Sequence, residues 1–146
     1  AGRPPLLHSL DRIALAEEIQ KQAEKRGLTV DALLQVNTSG EAAKSGFSPE
    51  ETEEAASEIR SFPRIHLRGL MTIGPFTEDS KLSRACFEKL RILRNNLKKR
   101  FPELDLAHLS MGMSSDFEIA IEEGATMIRL GTAIFGSRIK AHETAQ

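Results

Sequence analysis

Apolar positions along this chain follow two alternating rhythms: short continuous runs, and longer stretches that repeat every three to four residues. His8 to Leu10 reads as the end of a strand, followed by a helix from about Asp11 to Arg26. That helix sets Ala16, Ile19 and Ala23 on one face, and Gly27 stops it. Ala32 to Asn37 (ALLQVN) is a short buried strand. After the polar loop TSGEAAKSGF, Ser48 at N-cap, Pro49 at N1 and Glu51 at N3 form a capping box, which predicts a helix from Pro49 to about Ser61. Ile65 to Ile73 is the next strand, broken by Gly74-Pro75.

The longest helix is expected from about Asp79 to Arg100. Leu82, Cys86, Leu90, Leu93 and Leu97 form its single apolar stripe, its last turn is Lys98-Lys99-Arg100, and Pro102 prevents continuation. Leu104 to Leu109 reads as a strand that opens into a Ser110–Ser114 loop. Ser115 with Glu118 reads as a second capping box, opening a helix to about Glu123. Gly124 ends that helix, Thr126 to Leu130 is the last strand, Gly131 to Gly136 turns off it, and a polar, frayed tail is expected from Lys140.

This order is βα-βα-βα-βα-β, the mark of a parallel α/β fold in one domain over residues 1–146. A full (β/α)8 barrel takes roughly 250 residues, so a chain of this length holds about four to five units. Two architectures remain on pattern alone, a small doubly wound sheet and part of a barrel.

Composition removes several function classes. The 146 residues carry 20 basic and 21 acidic side chains, a net charge of −1, so no global field recruits nucleic acid or an anionic membrane. With no Trp or Tyr and seven Phe, stacking on bases has little to use. The single cysteine, Cys86, excludes an internal disulfide framework and reads as a buried thiol on the helix stripe. No apolar run is long enough to cross a bilayer and no secretory signal is evident, so a cytoplasmic protein is expected.

Candidate chemistry gathers where the last strands end. The turns Met111-Gly112-Met113-Ser114-Ser115 and Gly131-Thr132-Ala133 offer small residues, free backbone N–H groups and hydroxyls, the means by which βα proteins hold a phosphate. The plainer reading of the same residues is ordinary turns. Arg129, in the middle of a short apolar strand, either points inward to a polar ligand or carboxylate or sits on an exposed face. Asn37 and Met71-Thr72 end their strands at the same level. His8, His66, His108 and His142 lack metal-ligand spacing, and His8 and His108 read as hydrogen-bonded core imidazoles. The pairs Glu17-Glu18, Glu50-Glu51 and Glu122-Glu123 read as solvated helix faces.

The segments LLHSLDR (6–12), LLQVNTSGEAAKSGF (33–47), LRGLMTI (67–73), LSMGMSSDFEIAI (109–121) and GATMIRLGTAIFG (124–136) give the chain a resemblance along its whole length to the pyridoxal-phosphate homeostasis family. The resemblance implies an alanine-racemase-like (β/α)8 barrel that binds pyridoxal 5′-phosphate (PLP) as a Schiff base, buffers or carries it in the cytosol, and has no assigned turnover. It places Ser114 and the Gly131-Thr132 turn on the phosphate, Met111, Gly112 and Met113 as shapers of that loop, Arg129 beside the pyridine nitrogen, and Asn37 near the ring.

In that family the Schiff-base lysine lies upstream of the segment matching LLHSLDR, and no lysine here matches its motif. Lys44 lies nearest and reads as a solvated loop residue. The expectation is therefore a partial barrel, its last five strands, with an open apolar interior and two unpaired edges covered by self-association or by the remaining part. The expected function is a non-enzymatic PLP-binding protein. An amino-acid racemase or decarboxylase on the same barrel and a fragment holding no cofactor are the alternatives.

Overall fold

Parallel strands cannot be joined by tight turns, so each must be followed by a crossover, and here every crossover between strands of the parallel sheet carries a helix. A computed structural model describes residues 4–40, 46–130 and the backbone of 139–140. The order is β1 (Leu6–Leu10), α1 (Ile13–Arg26), β2 (Val30–Gln35), α2 (Pro49–Ile59), β3 (Ile65–Met71), α3 (Ser80–Arg100), β4 (His108–Met113), α4 (Phe117–Glu122), β5 (Met127–Arg129) and β6 (Ile139–Lys140). The strands lie in one sheet in chain order, with β1 to β5 parallel and β6 antiparallel on β5. β6 was not expected: residues 139–140 pair with Ile128 and Met127 where a polar tail was foreseen.

Local chemistry sets the helices. The Ser48 hydroxyl accepts from the Glu51 N–H while the Glu51 carboxylate accepts from the Ser48 N–H at 2.9 Å, so the predicted capping box opens α2. Asp79 caps α3 by accepting from the Lys81 N–H at 2.9 Å. The α3 stripe buries Cys86, Leu90 and Leu97, but Leu82 is 53% exposed, since the buried face of the first turn runs through Ser83 towards Cys86 and Phe87.

The fourth strand is displaced from its expected place at Leu104 to Leu109. Arg94 on α3 donates from Nη1 to the carbonyls of Leu106 and Ala107 at 3.2 Å, which takes those groups out of the ladder. Pairing starts at His108 and runs through Met113, so most of the expected loop is strand. The expected Ser115 cap is also corrected. Asp116 is the N-cap of α4, makes no side-chain cap bond, and instead accepts from the Met113 N–H at 2.7 Å.

Three register shifts, in the β1–β2, β2–β3 and β4–β5 pairs, each insert a residue and bend the sheet. Glycine makes two of them possible. A Cβ at Gly69 would stand 2.0 Å from the His108 carbonyl oxygen, and one at Gly112 would stand 2.6 Å from the Ala120 Cβ, at φ +101°. Gly112 is thus the residue that lets α4 lie close on β4.

The bent sheet separates two apolar clusters. The larger lies beneath the helices and joins Leu34, Leu67, Leu70, Leu109, Met111 and Ile128 to Ala56, Ile59, Phe87, Leu90 and Ala120. The smaller contains Leu33, Met71 and Met127, with Leu6 and Ile73 packed against it. Leu33 and Met71 are fully buried and Met127 is 6% exposed, while Leu6 and Met127 border a cleft on this inner side. Strands as far apart as β1 and β5 contribute to one cluster, the result of the curl.

Glu122 and Glu123, read as a solvated pair, are not equivalent. Glu123 accepts from Arg84 Nη1 at 2.7 Å and Arg91 Nη2 at 3.2 Å, which ties α4 to α3, while Glu122 is an exposed second partner of Arg84. The Arg84 hydrogen bond, reinforced by Arg91, holds the Glu123 carboxyl below its ordinary value. A depressed carboxyl stabilises the fold fully above its unfolded pKa, about 4.3, and that contribution disappears as pH falls through the folded value. The gap in urea midpoint between wild type and Glu123→Gln is therefore expected to be full at pH 7 and to close towards pH 3. A gap that does not change with pH contradicts the assignment.

Candidate functional site

At the ends of the strands, main-chain groups lose their ladder partners, and side chains must replace them. The C-terminal ends of β2 to β5 meet this demand with Thr38, Thr72, Ser110 and Arg129, all buried. The Thr72 N–H donates to the Ser110 carbonyl at 3.0 Å, and its hydroxyl donates to the Val36 carbonyl at 2.7 Å. With that proton used, the 3.1 Å contact between the two threonine hydroxyls has Thr38 as donor and Thr72 as acceptor. The Cys86 thiol donates to the Thr38 carbonyl at 3.3 Å and ties α3 to the layer.

Arg129 closes this layer from β5. Its Nη2 donates to the Thr72 carbonyl at 2.8 Å, and its Nη1 reaches the Ser110 hydroxyl at 3.4 Å, the long limit of a hydrogen bond. A guanidinium carries five N–H donors, so most of its capacity is left for another acceptor. Among the described residues no carboxylate lies within ion-pair distance of it. Burial pushes the guanidinium below its ordinary value, and the charge of Asp116 offsets part of that effect.

The opposite ends of the strands carry charge of another kind. Arg68 donates to Asp105 at 2.8 Å and approaches Asp31 at 3.3 Å, with His66 3.7 Å from the same Asp31. Asp31, Arg68 and Asp105 border a cleft with Leu6, His108 and Met127. Two carboxylates pair with Arg68 at this end, whereas at the C-terminal end Arg129 has no ion-pair partner among the described residues. An anionic ligand is favoured at the end of Arg129.

The residues expected to form the site are only partly brought together. Arg129 is buried and central. Ser114 is exposed on the β4–α4 turn, at the same end of the sheet. Met111 is fully buried in the cluster beneath the helices, and Gly112 lies against α4, so both act through packing and shape the turn only indirectly. The Asn37 side-chain Oδ1 accepts from the Ser39 N–H at 3.2 Å and hydroxyl at 3.0 Å, which shapes the turn after β2. Gly131, Thr132 and Lys44 lie outside the described residues. Of the histidines, His108 Nδ1 lies 3.2 Å from the Thr126 hydroxyl as expected of a strand imidazole, but His8 Nδ1 has no hydrogen-bond partner among the described residues. Sequence reasoning passed over Thr38 and Ser110. The signal available was a hydroxyl residue just beyond or within each apolar run, at the level where the strands end.

With the geometry established, comparison with known proteins becomes decisive. Residues 3–139 match the family model described as alanine racemase, N-terminal domain. The chain belongs to that family. Within it, the sequence is 48% identical over 137 residues to the pyridoxal phosphate homeostasis protein of Aquifex aeolicus, covering 94% of this chain and 60% of that protein. The chain thus spans a little over half the length of the curated relatives it matches. Among solved structures, PipY of Synechococcus elongatus with PLP bound superposes with a TM-score of 0.78 at 34% identity, over 90% of this chain and 60% of that one. An alanine racemase of Clostridium difficile, at 18% identity and a TM-score of 0.67 over 87% of this chain and 32% of its own, shares the fold. The five parallel strands are therefore part of an alanine-racemase-like barrel.

A buried cation with no ion-pair partner among the described residues costs stability and marks a candidate binding position. Arg129→Met removes the desolvation cost of the guanidinium but leaves the buried Thr72 carbonyl without its donor, so stability is expected to fall by no more than about 1–3 kcal/mol. A loss of more than about 3 kcal/mol in denaturant titration would show that Arg129 is needed for the fold itself.

Proposed function

We propose that this chain binds pyridoxal 5′-phosphate at the C-terminal ends of β3 to β5 and serves as a carrier or buffer of it rather than as a catalyst. The observation that carries this reading is Arg129, buried beside Thr72 and Ser110 with donors to spare and, among the described residues, no carboxylate at ion-pair distance. The donor set suits the group: a guanidinium meets a pyridine nitrogen as donor, and hydroxyls and N–H groups of a turn meet phosphate. The protein of Synechococcus elongatus, 34% identical, holds PLP.

In this reading Ser114 and the Gly131-Thr132 turn hold the phosphate, with Met111 and Gly112 setting the position of the β4 end. Arg129 donates to the ring nitrogen, and Asn37 orders the turn beside the ring. When bound, PLP supplies an electrophilic aldehyde and an electron-withdrawing ring. A permanent cation at the ring nitrogen disfavours protonation there and so weakens that electron sink, which suits storage better than turnover. The groups bonded to Arg129 are a hydroxyl and a carbonyl, neither of which titrates near neutrality, so no acid or base adjoins it among the described contacts.

Attachment is proposed to be non-covalent. The described lysine side chains, Lys21, Lys25, Lys81, Lys89, Lys98 and Lys99, are all exposed on α1 and α3. Absorbance titration with PLP should show saturable binding that pyridoxine 5′-phosphate displaces and unphosphorylated pyridoxine does not. Borohydride reduction followed by intact mass should show no stoichiometric adduct. A single stoichiometric adduct would assign the cofactor to a lysine, and absence of any saturable binding would remove the proposed function.

A further inference from the structure

Arg129 can serve a ring nitrogen only if its guanidinium is held in one place, and a long side chain loses considerable rotamer freedom to be so held. Its one short hydrogen bond goes to a main-chain carbonyl, that of Thr72, at 2.8 Å. The question is what fixes the peptide after Thr72, since β3 ends at Met71 and its ladder no longer does so on both sides.

The side chain of Thr72 supplies the answer. Its N–H is tied to β4 through the Ser110 carbonyl at 3.0 Å, and its hydroxyl is tied to β2 through the Val36 carbonyl at 2.7 Å. The same hydroxyl accepts from Thr38, whose carbonyl is in turn held by the Cys86 thiol of α3. Thr72 is 1% exposed, so water does not substitute for these bonds. The residue is thereby pinned to both flanking strands, and its carbonyl has one direction left, towards Arg129.

We propose that Thr72 is a positioning residue for Arg129, with Thr38 supporting it from β2. This rests on the reading of Arg129 as the ring-side donor for PLP, although the positioning itself is a property of the chain without ligand. A simple stitch between β2 and β3 would affect melting and leave Arg129 where it is. The two roles therefore separate in a measurement made on the guanidinium.

The test is NMR of arginine-15N-labelled protein, with the Arg129 side-chain signals identified by their loss in Arg129→Lys. In wild type its Nη protons are expected as resolved, slowly rotating signals. Thr72→Val, which keeps the shape and removes the hydroxyl, is expected to speed their rotation and exchange by about fivefold or more. Thr72→Ser restores the wild-type signals, and Thr38→Val gives a smaller increase in the same direction. Unchanged Arg129 signals in both valine variants, whatever the change in melting, overturn the proposal. Adding PLP separates the two levels. If wild-type Arg129 signals do not respond to it, the functional reading fails while the positioning result stands on the ligand-free spectra. If they respond, Thr72→Val should bind PLP about fivefold more weakly.

Discussion

The hydrogen bond from Arg129 to the Thr72 carbonyl joins the fold to its chemistry. A guanidinium placed in the interior without a carboxylate is an expense the rest of the structure must offset, and it does so with main-chain and hydroxyl acceptors at strand ends. Those acceptors exist there because a parallel sheet leaves its C-terminal carbonyls unpaired. β2, β3 and β4 each send one group to the layer through Val36, Thr72 and Ser110. The site is therefore built from the sheet outward.

Curvature is the second requirement. The register shifts beside Gly69 and Gly112 bend the strands so that inward positions converge, Leu33, Met71 and Met127 in an apolar cluster and Thr72, Ser110 and Arg129 above it. The bend also divides charge between the two ends of the sheet. At one end Arg68 is paired with two carboxylates, Asp31 and Asp105, and at the other Arg129 has no ion-pair partner among the described residues and only the more distant charge of Asp116. Packing of α4 onto β4 through Gly112, and the clamp of Glu123 by Arg84 and Arg91, hold the β4–α4 turn and its Ser114 at that second end.

Much of this was legible in the sequence. Local signals sufficed for α2, whose capping box and Pro49 act within four residues, and for the stripe of α3 at Cys86, Leu90 and Leu97. Arg129 was legible as a charge out of place in an apolar run, and the five parallel strands followed from the alternation of runs and helices. What was not legible depends on contacts distant in sequence. β4 starts at His108 because Arg94, twelve residues earlier, takes the Leu106 carbonyl. Glu123 is a buried clamp because of α3, and Thr38 and Thr72, 34 residues apart, meet only once β2 and β3 are paired. Met111 and Gly112 were expected to shape the phosphate loop; in the fold Met111 lies in the core and Gly112 lets α4 lie close on β4, contacts that only the packed helices reveal.

The most direct test of the account is the map of backbone amide shifts when PLP is added to 15N-labelled protein. The account predicts that the largest changes fall on the C-terminal strand ends, at Thr72, Ser114 and Arg129, with His66, Arg68 and Asp105 unaffected. Changes centred on Arg68 and Asp105 would put the ligand at the wrong end of the sheet and contradict the assignment of the site.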